Sequence, residues 1–254
     1  MNKINVVDNK IIPFDNTDVI LNNNIITFTN NGDYYLEYIT SDNVNITINI
    51  EDNVCVQLFE YSNNNDINFN IKYNLDMASS LIISKFYYNN KCNEVVNISL
   101  NKRGANIKYN FSSISNNDNF YKINVYHLDN NTSSDVFNRI VAKENSSNYF
   151  DINSYVDNGI KDCYLNQSTK IVTLGDSDNR VNPNMFISEE DVTAIHSSTI
   201  GSINEEDLFY LMSRGISYND SVKLIIKGMI LSNINPDMEN MERILSILDS
   251  IGGE

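Results

Sequence analysis

Short segments that alternate apolar and polar side chains constrain the fold of this chain more than any other feature. Residues 45–50 read Asn-Ile-Thr-Ile-Asn-Ile, and similar segments follow at 55–60, 67–71 and 107–111. A half-buried strand requires this period of two, because successive side chains point to opposite faces. Such segments start roughly every 10 to 20 residues from Ile4 to Leu174, with no helix-length apolar period between them. The pattern predicts an all-β body.

Clusters of Asn, Asp and Ser separate the strand-like segments, for example at 62–66 and 115–118. Asn adopts the left-handed backbone conformation more readily than most residues, so it can replace glycine at turns. We attribute the joint excess of 46 asparagines and 34 isoleucines to coding bias. Two architectures fit the spacing: an antiparallel sandwich or barrel, and a parallel β-solenoid with roughly 20 residues per coil. The pattern alone leaves both open.

The apolar period changes from strand-like to helical after Pro183. Asn204 is a candidate N-cap followed by three acidic residues, and the helix that starts there is expected to end at Arg214 and Gly215. This order matches the residues that helix ends favour: an N-cap side chain, acids in the first turn, then a basic residue and glycine.

Two further helices are predicted by apolar residues that recur every three or four positions. The first spans Asn219–Leu231, and the second follows Pro236, which suits a first-turn position. A small acidic helical domain therefore closes the chain.

A strong acidic excess narrows the classes of function. The chain has 33 acidic and 18 basic side chains, a net charge of −15 and a pI near 4.4. Nucleic-acid binding depends on Lys and Arg that neutralise phosphates, so no nucleic-acid partner is expected. No stretch approaches the length of a membrane span, and the first eight residues lack the apolar core of a signal peptide. Three widely spaced cysteines suit a reducing cytoplasm.

Few side chains are candidates for chemistry. The two histidines occur without a metalloprotease, hydrolase, phosphate-loop or dinucleotide-binding motif, so no enzyme is predicted. Taken alone, the spacing around His196 favours a strand or turn histidine bonded to backbone groups over a ligand. Cys163 is either a thiolate ligand or a small buried hydrophobe. Cys55 is expected in the core and Cys92 at the surface.

The stretch from 183 to 230 carries a more specific signal. It contains Pro-Asn-Met-Phe-Ile-Ser-Glu-Glu-Asp-Val at 183–192, the His196 segment through Gly201, and Leu-Phe-Tyr-Leu-Met-Ser-Arg-Gly-Ile at 208–216. In this order and spacing the three motifs resemble the SufB/SufD family, the scaffold proteins of the SUF iron–sulfur cluster assembly system. The similarity covers residues from about 120 to 230.

The resemblance implies a right-handed parallel β-helix followed by a small C-terminal α-helical domain. The β-helix scaffold domain would comprise residues 1–183, and the C-terminal segment 184–254 would contain the helical ATPase-docking domain. It also implies a non-catalytic scaffold that works with a SufC-type ABC ATPase, the only subunit to bind ATP. The scaffold would pair through its β-helix with a SufB-type chain or with itself.

The helix at 208–216 and the helix after it form the docking surface that the resemblance implies. Phe209, Tyr210 and Met212 are candidate anchors for a groove on the ATPase, and Arg214 is a candidate polar contact. The alternative is that the apolar residues of this helix pack only within their own domain.

The resemblance also bears on cluster chemistry. SufB-type members carry a cysteine in a Gln-Cys-Asp-Ser segment and a glutamate after the histidine, and those positions are Thr169 and Ser197 here. His196 instead matches the histidine of SufD-type members, so a SufD-like protein is expected. Because strand-like sequence begins by Ile4, we expect a short form of it. His196 is then the expected ligand for iron or a transient, nascent iron–sulfur cluster, and Cys163 could serve only if the register slipped.

Two alternatives stay open. One is a docking-only member of the same family that has lost cluster assembly. The other is a polysaccharide-acting β-helix enzyme, which would need a secretion signal and a matched pair of carboxylates that the sequence does not show.

Overall fold

The β part of the chain is a parallel solenoid of about six turns, seen in a computed structural model that describes residues 2–13, 17–39 and 43–251. The strands are β1 (Asn2–Val7), β2 (Lys10–Ile11), β3 (Val19–Asn22), β4 (Ile25–Phe28), β5 (Gly32–Ile39), β6 (Asn43–Ile50), β7 (Cys55–Ser62), β8 (Asp66–Leu75), β9 (Ser80–Tyr87), β10 (Lys91–Leu100), β11 (Asn106–Ser115), β12 (Asp118–His127), β13 (Ser133–Lys143), β14 (Ser147–Val156), β15 (Cys163–Leu174), β16 (Asp178–Ile187) and β17 (Val192–Gly201). In the described residues, β1 and β2 belong to a nine-stranded sheet and β3 and β4 to an eight-stranded one, and from β4 onward successive strands alternate between the two sheets.

The register of the parallel strands gives the length of each coil. Gly32 pairs with Val56, 24 residues later, and Ser133 pairs with Tyr164, 31 residues later. Each coil is longer than the roughly 20 residues predicted, because it holds two strands of up to 12 residues and two turns. The parallel solenoid is confirmed, and the antiparallel sandwich is not what the chain forms.

Asparagine takes the place of glycine at several turns, as predicted. Among residues 2–13, 17–39 and 43–251, the non-glycine residues with positive φ are five asparagines, two aspartates and one alanine: Asn9, Asn23, Asn53, Asn131, Asn145, Asp8, Asp162 and Ala78. The left-handed conformation suits Asn because its short side chain can hydrogen-bond to nearby backbone.

Asparagine also forms ladders between coils. Asn97, Asn124, Asn153 and Asn184 occupy the same register position in four successive strands of the eight-stranded sheet. Each side-chain NH₂ donates to the carbonyl of the preceding rung, at 2.9, 3.1 and 3.0 Å. The asparagine excess therefore has a structural use that composition alone did not reveal.

One cluster of charged side chains lies inside the apolar core. Lys85 Nζ is 2.9 Å from Glu94 Oε1 and 3.3 Å from Glu60 Oε2, and all three side chains are fully buried. Glu60 and Lys85 are in register on β7 and β9, whereas Glu94 reaches them from β10 of the opposite sheet. Four tyrosine hydroxyls donate to the two carboxylates, from Tyr38, Tyr73, Tyr87 and Tyr109. We call Lys85, Glu60 and Glu94 the buried charge cluster.

Strand pairing continues past residue 183, where the sequence predicted the end of the β-helix. Pro183 lies inside β16 and pairs with Ile152. Because β16 is at the edge of its sheet, a residue without an N–H is tolerated there. The proline marks an edge strand, and the solenoid ends at Gly201.

Three helices follow: α1 (Glu205–Ser213), α2 (Tyr218–Leu231) and α3 (Met238–Ser250). The Asn204 side chain caps α1 as predicted, Arg214 is the C-cap, and Gly215 adopts a φ of +87°. Pro236 lies before the N-cap Asp237 and not in the first turn of α3, because Asp237 supplies the capping oxygen. Within the described residues, no helix is long and apolar enough to span a membrane.

Helices α2 and α3 pack against the outer face of the nine-stranded sheet. Their apolar residues join the sheet in a second core of Tyr35, Phe59, Tyr61, Phe86, Ile114, Val141, Val172, Ile203, Val222, Ile226, Ile230, Ile234, Ile244, Leu248 and Ile251. Arg243 of α3 donates to Glu37 of β5 at 2.8 Å. By contrast, α1 has no buried residue. This leaves α1 as the exposed helix beside the last coil.

Candidate functional site at the open end of the solenoid

The last coil leaves one end of the solenoid uncovered. β16 pairs only with β14, and β17 pairs only with β15, so each is an edge strand. Phe186, Ile195 and Ile200 are about half exposed on these two strands. We call this surface, formed by β16 and β17, the open end. Edge strands with exposed apolar side chains are surfaces on which another chain can pair.

His196 lies in the middle of β17. It is exposed and in register with Gln167 of β15, whose side chain is buried in the solenoid interior. Residues at the same register of a parallel pair share a face of the sheet. Within the described ranges, neither ring nitrogen of His196 has a hydrogen-bond partner, so the backbone-bonded histidine considered from sequence is not what the structure shows.

The interior beneath His196 is polar. The Gln167 amide nitrogen donates to Ser154 Oγ at 2.8 Å and to the Asn184 carbonyl at 3.2 Å. Asn138 donates to Thr169 Oγ1 at 3.0 Å one layer further along the strands. Thr169 stands where the resemblance places the SufB-type cysteine, and its hydroxyl is already engaged. No signal in the sequence assigned Gln167 a role, although its period-two spacing from Leu165 and Thr169 puts it on the inward face.

No complete metal site exists within this chain's described residues. No group of three or more His, Cys, Asp or Glu side chains is placed to hold a metal ion. Within β17, His196 is the one side chain of the His, Cys, Asp and Glu types, and Ser197 stands where the resemblance places the SufB-type glutamate. An iron or cluster site here needs side chains from another chain.

Cys163 is not brought near His196. It is the first residue of β15 and pairs with Val192 of β17, which lies four residues before His196. Four residues of a strand span about 13 Å, so this distance separates Cys163 from His196 along the strands. Its thiol is buried and faces acceptors only: Thr132 Oγ1 at 3.2 Å and the carbonyls of Asp129 and Lys161. Cys163 as a ligand stays a prediction without geometric support.

The other two cysteines are placed opposite to expectation. Cys55 is exposed and Cys92 is buried. Cys55 falls on the outward phase of β7, whereas Cys92 falls on the inward phase of β10 beside Glu94. Burial raises the pKa of the Cys92 thiol well above its ordinary value. Neither cysteine lies at the open end.

The second histidine, His127, has a structural role. Thr132 Oγ1 donates to the Asp129 carbonyl at 3.0 Å, so it must accept from His127 Nδ1, 2.8 Å away. Nδ1 therefore carries the proton, and Nε2 accepts from Ser134 Oγ at 2.9 Å. Burial lowers the pKa of His127 to about 4. The imidazole is neutral and already saturated with hydrogen bonds, so it is not a ligand.

His127 makes the fold sensitive to acid. Since its pKa falls from 6.5 in the unfolded chain to about 4 in the fold, the unfolded state binds more protons between these values. Stability is complete above pH 6.5 and declines as pH falls toward 4. Between pH 7.5 and 4.5 the loss from this residue is about 2.5 kcal/mol. Urea unfolding at pH 7.5 and pH 4.5 measures the free energy of unfolding of the wild type and of His127→Gln. The loss of stability between the two pH values should be smaller in His127→Gln, and equal losses would contradict the role of His127.

Helix α1 presents an apolar face to solvent. Phe209 is 75% exposed, Tyr210 57% and Met212 46%, and Phe209 and Met212 line a groove with Glu205 and Glu206. The Arg214 guanidinium lies 5.4 Å from the centre of the Tyr210 ring. Leu208 and Leu211 are partly buried instead. The alternative of internal packing therefore applies to the two leucines and not to the other three.

Comparison with known proteins agrees with this architecture. The fold defines the chain as a parallel β-solenoid with a C-terminal helical layer. The family model described as SUF system FeS cluster assembly, SufBD core domain, matches residues 23–229. The chain belongs to the SufB/SufD family, and this membership supports a role in iron–sulfur cluster assembly.

Individual relatives are similar over shorter stretches. The iron–sulfur cluster assembly protein SufD of Bacillus subtilis is 30% identical over 96 residues, which is 37% of this chain and 22% of that protein. SufD of Escherichia coli is 43% identical over 44 residues, or 17% of this chain and 10% of that protein. The SufBD family protein ycf24 of Galdieria sulphuraria is 25% identical over 130 residues, or 49% of this chain and 59% of that protein. The matched segments thus span less than two thirds of each relative.

Proposed function

We propose that this chain is a non-catalytic, cytoplasmic scaffold subunit of the SUF iron–sulfur cluster assembly complex. The observation that carries the proposal is the open end, where an exposed edge strand presents His196 with both ring nitrogens unpartnered. The solenoid interior is otherwise packed and its other histidine is saturated. A ligand-type side chain on an unpaired strand suits a site completed by a second chain.

Iron or a nascent cluster is the cargo of this site. Imidazole nitrogen binds iron, and thiolates are the usual ligands of iron–sulfur clusters. Because this chain brings no reactive cysteine to the open end, the thiolate or carboxylate ligands would come from the partner. The partner is a SufB-type scaffold, or a second copy of this chain, paired along β16 and β17.

Docking of a SufC-type ABC ATPase on α1 is the second element of the proposal. An exposed helix with aromatic and methionine side chains on one face fits an apolar groove on a partner. Glu205, Glu206 and Asp207 form its first turn. We therefore expect Lys and Arg around the groove of the ATPase and an association that weakens with salt.

Phe209→Ala should weaken ATPase binding at least tenfold, because a large exposed aromatic ring at the centre of a contact is a typical hot spot. Anaerobic co-purification with the host's SufC-type ATPase, followed by titration calorimetry, measures this. Met238→Ala is the matched control, since Met238 of α3 is 83% exposed but lies on a different helix. Equal binding by wild type and Phe209→Ala would exclude α1 as the docking surface.

Iron content separates the two candidate functions. The complex of this chain with the ATPase and a SufB-type partner should carry iron, and His196→Ala should remove it while ATPase binding persists. A wild-type complex that binds the ATPase but never carries iron would favour the docking-only alternative. Iron retained in His196→Ala would rule out the proposed ligand.

A further inference from the structure

Gln167 carries an unpaired acceptor beneath the open end. Its side chain is 1% exposed, and its amide oxygen has no hydrogen-bond partner. The orientation of the amide is fixed, because its nitrogen faces the Asn184 carbonyl at 3.2 Å and a swapped amide would set two oxygens against each other. A buried carbonyl without a partner is unfavourable, so it calls for a donor that this chain or its partner supplies.

His196 is the donor at the right place. It occupies the same register on the neighbouring strand, where parallel strands are about 4.8 Å apart. Its ring has no partner in the part of the chain that the structure describes. His196 is on the same face of the sheet as Gln167, which is the face that points into the solenoid on β15. The other side chains next to Gln167 on its own sheet are Val136 of β13, in register, and Leu165 and Thr169 along β15. None of these donates to the amide oxygen.

We infer that Gln167 is the positioning residue of the His196 site. This bond is not made in the structure, where both groups lack a partner. Rotation of the His196 side chain toward the neighbouring strand would let the Gln167 amide oxygen accept from one ring N–H and hold the imidazole in a single tautomer. The opposite nitrogen then keeps its lone pair, directed toward the end of the solenoid where a partner chain and iron would arrive. The inference rests on the proposed function only in assigning iron to that nitrogen.

The tautomer can be observed without any cluster. The chain has two histidines, so ¹⁵N-histidine labelling gives two imidazole rings, and His196→Ala assigns them. At a pH where both rings are neutral, wild-type His196 should show one protonated and one unprotonated nitrogen. In Gln167→Leu the two signals should move toward a common average, and Gln167→Glu should restore the separation. His127 is the internal control, because its Nδ1–H tautomer is fixed by Thr132 in every variant.

Two results would overturn the inference: averaged His196 nitrogens in the wild type, or a single tautomer that survives in Gln167→Leu. A second readout uses Co²⁺ alone, with the broadening of the His196 signals followed as the ion is added. Gln167→Leu should bind Co²⁺ about 10- to 100-fold more weakly than wild type, as expected when a residue that orients a ligand is lost. A locked tautomer in a complex that never carries iron would support the Gln167–His196 pair while overturning the ligand role.

Discussion

Replacing Lys85 with methionine is expected to lower the free energy of unfolding by about 3–5 kcal/mol, because it leaves two buried carboxylates without a cation. Lys85 is the ammonium group shared by Glu60 and Glu94. Burial raises the pKa of the Glu94 carboxyl, and Lys85 opposes that rise. Without Lys85 the core must take up a proton or admit water. Methionine has a volume similar to that of lysine, so the loss of stability would be caused by the missing charge and not by a cavity.

Lys102→Met is a matched control for this experiment. Lys102 also contacts two carboxylates, Asp52 at 3.1 Å and Asp76 at 3.5 Å, but all three side chains are partly exposed. Ion pairs at the surface contribute little to stability, because water screens the charges, so Lys102→Met should change the free energy of unfolding little. Urea unfolding at pH 7.5 compares both variants with the wild type. Similar losses of stability in Lys85→Met and Lys102→Met would show that the burial of the charges does not determine the size of the loss.

A compensated variant tests the mechanism of the Lys85 loss. Lys85→Met combined with Glu60→Gln and Glu94→Gln removes the charges together. Each amide keeps one oxygen that accepts from a tyrosine hydroxyl, and its NH₂ can donate to a tyrosine oxygen. Most of the lost stability should return, as replacing a complete buried ion network is often near neutral. If the triple variant is as unstable as Lys85→Met, packing and not charge explains the loss.

Local patterns in the sequence were enough to predict the elements of the fold. Alternation of period two marked the strands, and Asn204 with Gly215 marked the ends of α1, because these signals depend only on neighbouring residues. The choice between solenoid and sandwich was different. It came from the resemblance of the 183–230 motifs to a family, since both architectures bury the same alternating faces.

Features that depend on register between coils could not be predicted. Lys85 and Glu94 lie nine residues apart in sequence but on opposite sheets, and Glu60 joins them only because β7 and β9 pair in one register. The asparagine ladders have the same origin, since their rungs are separated by 27 to 31 residues. Gln167 and His196 meet across 29 positions. Coils of unequal length hide such spacings from a search for a fixed repeat.

Lysine at both Ile195 and Ile200 is expected to weaken pairing at the open end by roughly 100-fold or more. These side chains expose 49% and 44% of their surface on an edge strand that has no neighbour on one side. Burying each in an interface contributes about 1.5 kcal/mol or more. A charge at position 200, which shares the inward face with His196, further opposes pairing of this edge strand with another chain. The folded chain itself should keep its melting temperature, because neither side chain belongs to the core.

Sedimentation velocity over a range of concentrations measures the pairing, for the chain alone and mixed with a SufB-type partner. Ile20→Lys is the control, since Ile20 is 54% exposed on β3 at the far end of the solenoid. The control should pair like the wild type, whereas the double variant should remain unpaired at concentrations where the wild type is paired. Because the proposed cargo site takes ligands from both chains, the double variant should also lose iron although His196 is intact. Normal pairing by the double variant would place the interface elsewhere and separate His196 from it.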